Sequence, residues 1–401
     1  MGLKYVFLTK NVTPTTKISV KKAKGVRLWD TNNKEYLDFS SQTLNLNLGN
    51  SPKIAKRAFL TQFNRYSFSS TRFISKSFIE LSKKLVSISP KGLTKVNIKL
   101  TNGSDANESA IKRARIFRKK PYIVTFFSSH LGETSETLNA SKKLTELFYG
   151  GSSYFIQIPS PFEKNNSEEK TLNKIETLFL RRKDIAAIII EPIVVNSGVH
   201  IFSKKFLREL RQLCNKYNVS LIFDEIQTAF GWLGSIFASE YFGVTPDMLT
   251  IGKGFAAGFP LAGILMKKEY DVLDYGLDEY TYGGHAISCA IAQENINFLT
   301  KTKILNTVKK NSLLFSNLLT NYKISNKDKV KEVRFCGLIA GIEFRSTLLT
   351  KKLFTKLIKN GLITRKSSNN PRSIVLKPPI IVSPSILKKA VDILDKTTTN
   401  I

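Results

Sequence analysis

Cysteine is scarce in this chain of 401 residues: there are three, Cys214, Cys289 and Cys336, far apart and odd in number. That excludes a disulfide framework and a thiolate metal cluster, so no metal site is expected and a reducing, cytoplasmic location is. Long apolar runs are missing as well. None approaches the roughly 20 residues a bilayer needs, which excludes a membrane-spanning helix. The N-terminus has a short apolar patch, Tyr5 to Leu8, without a long apolar core or a small-residue cleavage site, so secretion is not expected, and Val6 breaks the myristoylation pattern. Acidic residues are few, 31 Asp and Glu against 62 Lys and Arg, for a formal charge of +31. Lysine is spread over nearly every expected helix rather than gathered on one element with exposed aromatics, which argues against a nucleic-acid partner. A genome rich in A and T, enriching Lys, Asn and Ile together, accounts for much of the excess. An acidic peptide drawn by this field is the functional alternative. What is present, 42% hydrophobic and 23% charged residues with 22 Gly and 13 Pro, belongs to a folded globular chain and excludes disorder and collagen-like repeats.

Apolar strands alternate with amphipathic helices through the middle of the chain, the pattern of a mostly parallel sheet wrapped by helices, and no internal repeat interrupts it. An Asn-Gly-Ser turn opens a helix expected over Ser104 to Arg118, Pro121 ends it, and Tyr122 to Phe127 reads as a buried strand. Another helix is expected from Phe206 to Tyr217. Ala186 to Ile190 and Val219 to Phe223 read as fully buried strands, each stopping at an acid, Glu191 and Asp224. Open α/β sheets bind ligands at the carboxyl ends of their strands, so two acids there point to one crevice. Gly25 to Phe39 reads as a β-hairpin with its turn at Asp30-Thr31-Asn32-Asn33, packing with a C-terminal unit. That unit is expected to hold a long helix beyond Ser288, a strand-like Val333 to Phe344, a helix from Leu353 to Asn360 and a strand from Ile374 to Val382. The fold class is α/β: a large domain with a mainly parallel sheet over residues 51–290, a small α+β domain over 291–401, and an N-terminal segment, 1–50, packing with the small one.

The strongest single feature is Gly252-Lys253-Gly254, a lysine between two glycines at the end of an apolar stretch. It is not a P-loop, which needs Gly where Asp247 stands and Ser or Thr where Gly254 stands. Nor is it a dinucleotide fingerprint, because Gly252, Gly254 and Gly258 have the wrong spacing. Upstream, Asp224-Glu225-Ile226-Gln227 ends a buried strand, and Asn102-Gly103-Ser104-Asp105 opens a helix whose free N–H groups suit a phosphate. A lysine able to form an imine, a carboxylate at a strand tip and a phosphate nest are what pyridoxal phosphate requires.

From about Gly25 to Pro379 the chain resembles the class III aminotransferases, fold-type I pyridoxal-phosphate enzymes that include the acetylornithine, ornithine and 4-aminobutyrate aminotransferases. The likeness is carried by Asn102 through Glu108, Glu191-Pro192-Ile193, Phe223 through Thr228, Gly243 through Asp247, Gly252-Lys253-Gly254, Pro260-Leu261 and Thr281 through His285. It implies that Lys253 captures the cofactor's aldehyde and later moves the proton, that Asp224 pairs with the pyridine nitrogen, and that Gln227 lies near the phenolic oxygen. Gly103 and Ser104 would hold the phosphate, with Glu191 among the cofactor contacts. Thr281 would reach the phosphate of a neighbouring subunit, making a homodimer, or a tetramer built from it, the active unit with a small-molecule amino donor.

Two departures bear on specificity. Relatives place an aromatic residue over the cofactor ring, whereas Ser129-His130-Leu131-Gly132 puts His130 there. Relatives that use glutamate carry an Arg for the substrate carboxylate just before the Pro pair, and in ornithine-type enzymes a Glu gates it. Here the two positions are Val375 and Asn196. An apolar seat rejects a carboxylate, so at least one substrate is expected to lack one there: an ω-amine, a ketone or a modified peptide end. Arg372 or Arg72 reaching in from a flanking loop would restore acid recognition. Trp232-Leu233 stand where relatives often have Arg-Thr. A mutase, decarboxylase or racemase on the same fold, or a non-catalytic binding relative, remains the alternative function.

Overall fold

The computed structural model describes residues 16, 18–140 and 154–401, and the apolar patch Tyr5–Leu8 lies outside them. Strands β1 (Val20–Lys24), β2 (Arg27–Asp30) and β3 (Glu35–Asp38) form an antiparallel meander, with the turn between β2 and β3 closed by Asp30, whose carboxylate accepts the Asn32 and Lys34 N–H groups at 2.9 Å. The main sheet is built from β4 (Lys95–Leu100), β5 (Tyr122–Phe126), β6 (Phe155–Ile158), β7 (Ile185–Ile190), with two short strands, β8 (Ile193–Val194) and β9 (His200–Ile201), making a separate ribbon, then β10 (Ser220–Asp224), β11 (Met248–Ile251) and β12 (Ala262–Met266). Its seven strands run in the order β4-β12-β11-β10-β7-β5-β6. Parallel pairing holds from β6 through β11, while β12 runs antiparallel to both its neighbours.

Every residue of β7, β10, β11 and β12 is buried, which is why these segments read as continuous apolar runs rather than alternating ones. Helices Gly103–Arg118, Glu168–Arg181 and Lys204–Lys216 connect the strands, the last with Phe206, Leu207, Leu210 and Cys214 on its buried stripe. The parallel order brings the carboxyl ends of β7, β10 and β11 side by side, with Phe223 level with Ile190 and Asp224 level with Thr250.

The C-terminal part differs from its sequence reading in its strands and its boundary, and the helix expected from Leu353 to Asn360 runs over Thr347–Lys359. Val333 to Phe344 is not one strand but a hairpin, β13 (Val330–Cys336) and β14 (Ile339–Phe344), turned at Gly337, where φ is +61° and a side chain would collide with the Trp232 carbonyl. With β15 (Leu362–Ile363) in the first sheet, the hairpin continues into β16 (Arg365–Lys366) and β17 (Ser373–Leu376), giving the order β13-β14-β17-β16. Regular pairing ends at Leu376, before the Pro378-Pro379 pair removes two donors. The helix Ala286–Lys301 spans the boundary expected at residue 290 and packs on helices Lys53–Phe63 and Lys76–Ile88. β15 pairs in parallel with β3, so the first sheet is completed by a strand from near the other end of the chain. No helix among the described residues is long and apolar enough to cross a membrane.

One half-buried imidazole makes stability depend on pH. His200 stacks on Phe162 at 4.6 Å, and burial, with the Arg334 guanidinium nearby, pushes its pKa down to about 4. The unfolded chain takes up that proton near pH 6.5 while the folded one refuses it, so the contribution is complete above about 6.5 and is lost as pH falls toward about 4. Because the ring is only partly buried, we expect a loss of about 1–2 kcal/mol across that window. Thermal melts of the wild type and of His200→Gln should diverge at neutral pH and converge in acid.

Candidate active site

Where β4 ends, Asn102 caps the helix Gly103–Arg118 by accepting the Ser104 and Asp105 N–H groups at 2.9 and 3.2 Å, and Asp105 returns a contact to the Asn102 N–H at 3.2 Å. The Ser104 N–H expected to face a phosphate is therefore held by this cap, which leaves the Gly103 N–H and the Ser104 hydroxyl at the opening. A side chain at 103 would meet Ile226 Cδ1 at 2.9 Å, so the Ile226 side chain would have to shift to admit one. Ser104 Oγ accepts the Glu133 N–H at 3.0 Å, tying this turn to the 130–133 loop.

Asp224 closes β10. Asn107 donates to its Oδ2 at 2.7 Å and the Ile226 N–H to its Oδ1 at 3.0 Å, while Asn107 itself is aimed by Thr250 and by the Leu131 carbonyl. Glu191, one residue beyond β7, accepts the His130 N–H at 3.1 Å and faces the Gln227 amide at 3.4 Å. Burial raises the proton affinity of both carboxyls, and the Asp224 charge raises that of Glu191 further. Lys253 follows β11 in a left-handed conformation, φ +41°, an uncommon geometry for a lysine that the flanking glycines make room for. Burial lowers its pKa, opposed by Asp224 and Glu191. His130 is held neutral by burial and by the Lys253 charge.

These groups meet in a cavity of about 500 Å³ whose wall includes Gly103, Ser104, His130, Asp224, Gln227 and Lys253. Glu191 stands behind His130 and Gln227. The substrate candidates fall elsewhere. Arg372 is paired with Glu343 at 3.2 Å, and Arg72 lies in an exposed loop. Thr281 is exposed beside Tyr282, on a loop pinned by Asp278, which accepts from Lys112 at 2.7 Å. Asn196 accepts the Asn369 N–H through its carbonyl, 3.0 Å away, and so anchors the 367–370 turn. Val375 is buried in β17, directly opposite Arg365 on β16.

Arg365 escaped the sequence reading. Residues directly opposite on antiparallel strands share a face of the sheet, so its side chain leaves on the same side as Val375. The guanidinium is half-buried, its pKa lowered by burial alone, and among the described residues it has no hydrogen-bond or ion-pair partner. Its charge is felt at Lys253 and at His130. The signal for it was a cationic residue one strand over from Val375, invisible without the register.

The cavity fits pyridoxal phosphate on observations of its own. Gln227 Oε1 is buried without a partner, Asp224 is a buried carboxylate with no ion pair among the described residues, and Lys253 is an enclosed amine sharing the cavity with a helix N-terminus. A family model described as Aminotransferase class-III matches residues 7–398. The acetylornithine/succinyldiaminopimelate aminotransferase of Buchnera aphidicola (Acyrthosiphon pisum symbiont strain) is 31% identical over 386 residues, 93% of this chain and 89% of that enzyme. The acetylornithine aminotransferase of Methanocaldococcus jannaschii is 31% identical, over 94% of this chain and 92% of its own. Among solved structures, the taurine:2-oxoglutarate aminotransferase of Bifidobacterium kashiwanohense, in complex with PLP and glutamate, superposes with a TM-score of 0.89 at 27% identity, covering 98% of this chain and 95% of its own.

Proposed function

The chain belongs to the class III aminotransferases, fold-type I transaminases that depend on pyridoxal phosphate, and from that premise we propose that Lys253 and Asp224 do the chemistry while Arg365 selects the acid substrate. The observation that carries this reading is the meeting of Lys253, Asp224 and the Gly103-Ser104 turn on one cavity.

Bound pyridoxal phosphate supplies an aldehyde that joins the amine and a protonated pyridine ring that withdraws electrons from it. Asp224, ionised and oriented by Asn107, holds the proton on the pyridine nitrogen. Gln227, one amide N–H of which faces Glu191, would offer the other to the phenolic oxygen. The Gly103 N–H and Ser104 hydroxyl would take the phosphate, and neutral His130 would cover the ring face without adding charge. Lys253, as a free amine, would accept the proton from the amine-bearing carbon of the donor on Nζ and give it up to the cofactor's aldehyde carbon. Burial favours that neutral form of Lys253, which is the form a base requires.

Specificity follows from Arg365. A keto acid presents its carboxylate to the unpaired guanidinium, which gains a bidentate partner it otherwise lacks. Val375, buried in β17, offers the donor no surface, and Arg365 reaches the substrate from the neighbouring opening that it lines with Gln42 and Lys366. Family members are typically dimeric and take small-molecule amino donors. We extend this to Thr281 reaching the partner's phosphate, supported by the exposure of Thr281 and of Phe73 and Ile74, which are 71% and 90% exposed in the single chain. Catalysis in the cytoplasm is part of the same proposal.

The test is the visible absorption of the protein with pyridoxal phosphate, recorded as glutamate, alanine and simple amines are added in turn. Loss of the band with stoichiometric release of an aldehyde or keto acid supports amino transfer, and release of carbon dioxide overturns it. In the same assay Arg365→Gln should raise KM for the keto acid about 10- to 100-fold, the loss of one charge-assisted pair, and leave KM for a carboxylate-free amine within about twofold. Equal effects on both would refute the assignment of Arg365.

A further inference from the structure

Lys377, the residue before the Pro378-Pro379 pair, is completely buried. Its Nζ donates to the Gln227 carbonyl at 2.7 Å and to the Leu44 carbonyl at 2.9 Å, and lies 3.4 Å from the centre of the Trp232 ring. Three acceptors around one nitrogen match the three N–H bonds of an ammonium, whereas a neutral amine would turn its lone pair on one of them. No carboxylate is among these partners. The charged groups that act on Lys377 are Lys253 and Arg365, both of its own sign, and burial lowers its pKa well below the usual lysine range. A cation retained there without an acid is costly unless its position serves the site.

The three contacts lie on or directly behind the lining of the catalytic cavity. Gln227 lines it, Leu44 sits between the lining residues Thr43 and Asn45, and the far edge of the Trp232 ring abuts Gly254, where a Cβ would fall 2.7 Å from Cζ3. Trp232 is itself fixed by its Nε1, which donates to the Pro378 carbonyl at 3.0 Å. The unusual Trp at 232 is thereby explained: it carries no charge of its own and forms the platform for one supplied from position 377.

We propose that Lys377 is a positioning residue that holds Gln227 and the Lys253-Gly254 turn in register through Trp232 and, as an ammonium, favours the unprotonated form of the Lys253 nitrogen. Lys253 faces Asp224 and Glu191 as acids and Arg365, His130 and Lys377 as bases, so removing one positive charge from this set raises its affinity for a proton. The inference rests on the pyridoxal-phosphate reading of the cavity, and the experiment separates the two.

The loaded protein is titrated from about pH 6 to about pH 10, following the visible band, for the wild type, Lys377→Met, Lys377→Gln and Lys377→Arg, with thermal midpoints recorded alongside. The two neutral variants should shift the spectroscopic midpoint upward by on the order of one unit and lower kcat about tenfold, while Lys377→Arg, keeping the charge, should titrate close to the wild type. A wild type without a Lys253-dependent band sinks the cofactor reading, and with it this one. A normal band whose midpoint is unmoved in the neutral variants overturns the role of Lys377 alone. Failure of both neutral variants to fold, with Lys377→Arg folding and titrating normally, assigns the residue to the fold and overturns the proposal as well.

Discussion

Lys253→Ala should lose amino transfer by at least about 10⁴-fold, because one side chain supplies both the group that captures the aldehyde and the base that moves the proton. The loss should be in kcat rather than in donor KM, since the phosphate turn, Asp224 and Arg365 remain to bind cofactor and substrate. The spectrum is the sharper readout. The variant should still take up pyridoxal phosphate through the 103–104 turn, but its visible band should match that of the free aldehyde. Added methylamine should restore part of the rate if the missing element is only an amine base, as the enclosed position of Lys253 implies. A variant that keeps more than about a hundredth of the wild-type rate would mean that another group moves the proton, beyond the roughly 10²–10⁴-fold that positioned bases contribute.

Asp224→Asn should lower kcat by about 10²–10³-fold, comparable with the loss of one preorganised electrostatic contact to a developing charge. The substitution keeps the shape and preserves an acceptor for the Ile226 N–H, at the cost of turning the new NH2 toward the Asn107 NH2 that donates to Asp224 at 2.7 Å, so the fold should form with a stability loss of about 1–3 kcal/mol. The pyridine nitrogen would lose the anion that keeps it protonated. The wild-type rate should fall on the acid side as Asp224 is neutralised, burial having raised its pKa above the ordinary carboxylate value. That acid limb should be absent from the Asn variant. An unchanged acid limb would assign it to another group, of which buried Glu191 is the nearest.

The large sheet was readable because its central strands are buried on both faces: IAAIII in β7 and SLIFD in β10 leave no solvent-facing alternation, and each ends where an acid begins. Lys253, Asp224 and the 102–105 turn were readable for a related reason. Each sits at a strand end or helix start marked by glycine or a capping residue, and such local chemistry is written in adjacent letters. The structure brings these residues to one cavity with His130 and Gln227. Arg365 was not readable, since its relation to Val375 depends on the register of a two-residue strand across the irregular 367–372 segment. Arg372, weighed in its place, is nearer Val375 in sequence but is engaged by Glu343. Lys377 was hidden by the opposite bias, because lysine is so seldom fully buried that one beside a proline pair reads as surface. The Val333–Phe344 hairpin was taken for one strand because its turn is a single positive-φ glycine.

The pairing of β3 with β15, and the bond from the Lys377 N–H to the Phe39 carbonyl at 2.7 Å, mean that the earliest strands of the chain have no complete sheet until almost the last residues exist. On a ribosome adding about 5–20 residues per second, the segment around Phe39 waits on the order of 20–70 s for its partner. The central strands, whose neighbours are close in sequence, can associate during that interval. Closure of the ends is then the late, topologically expensive event, dominated by contacts of long sequence separation. Since Leu44, Gln227 and Lys377 meet only after that closure, the catalytic cavity acquires its final wall at the very end of folding. A chain truncated before residue 362 should therefore expose the unpaired edge of β3 to other molecules and be prone to aggregate, even with its main sheet formed.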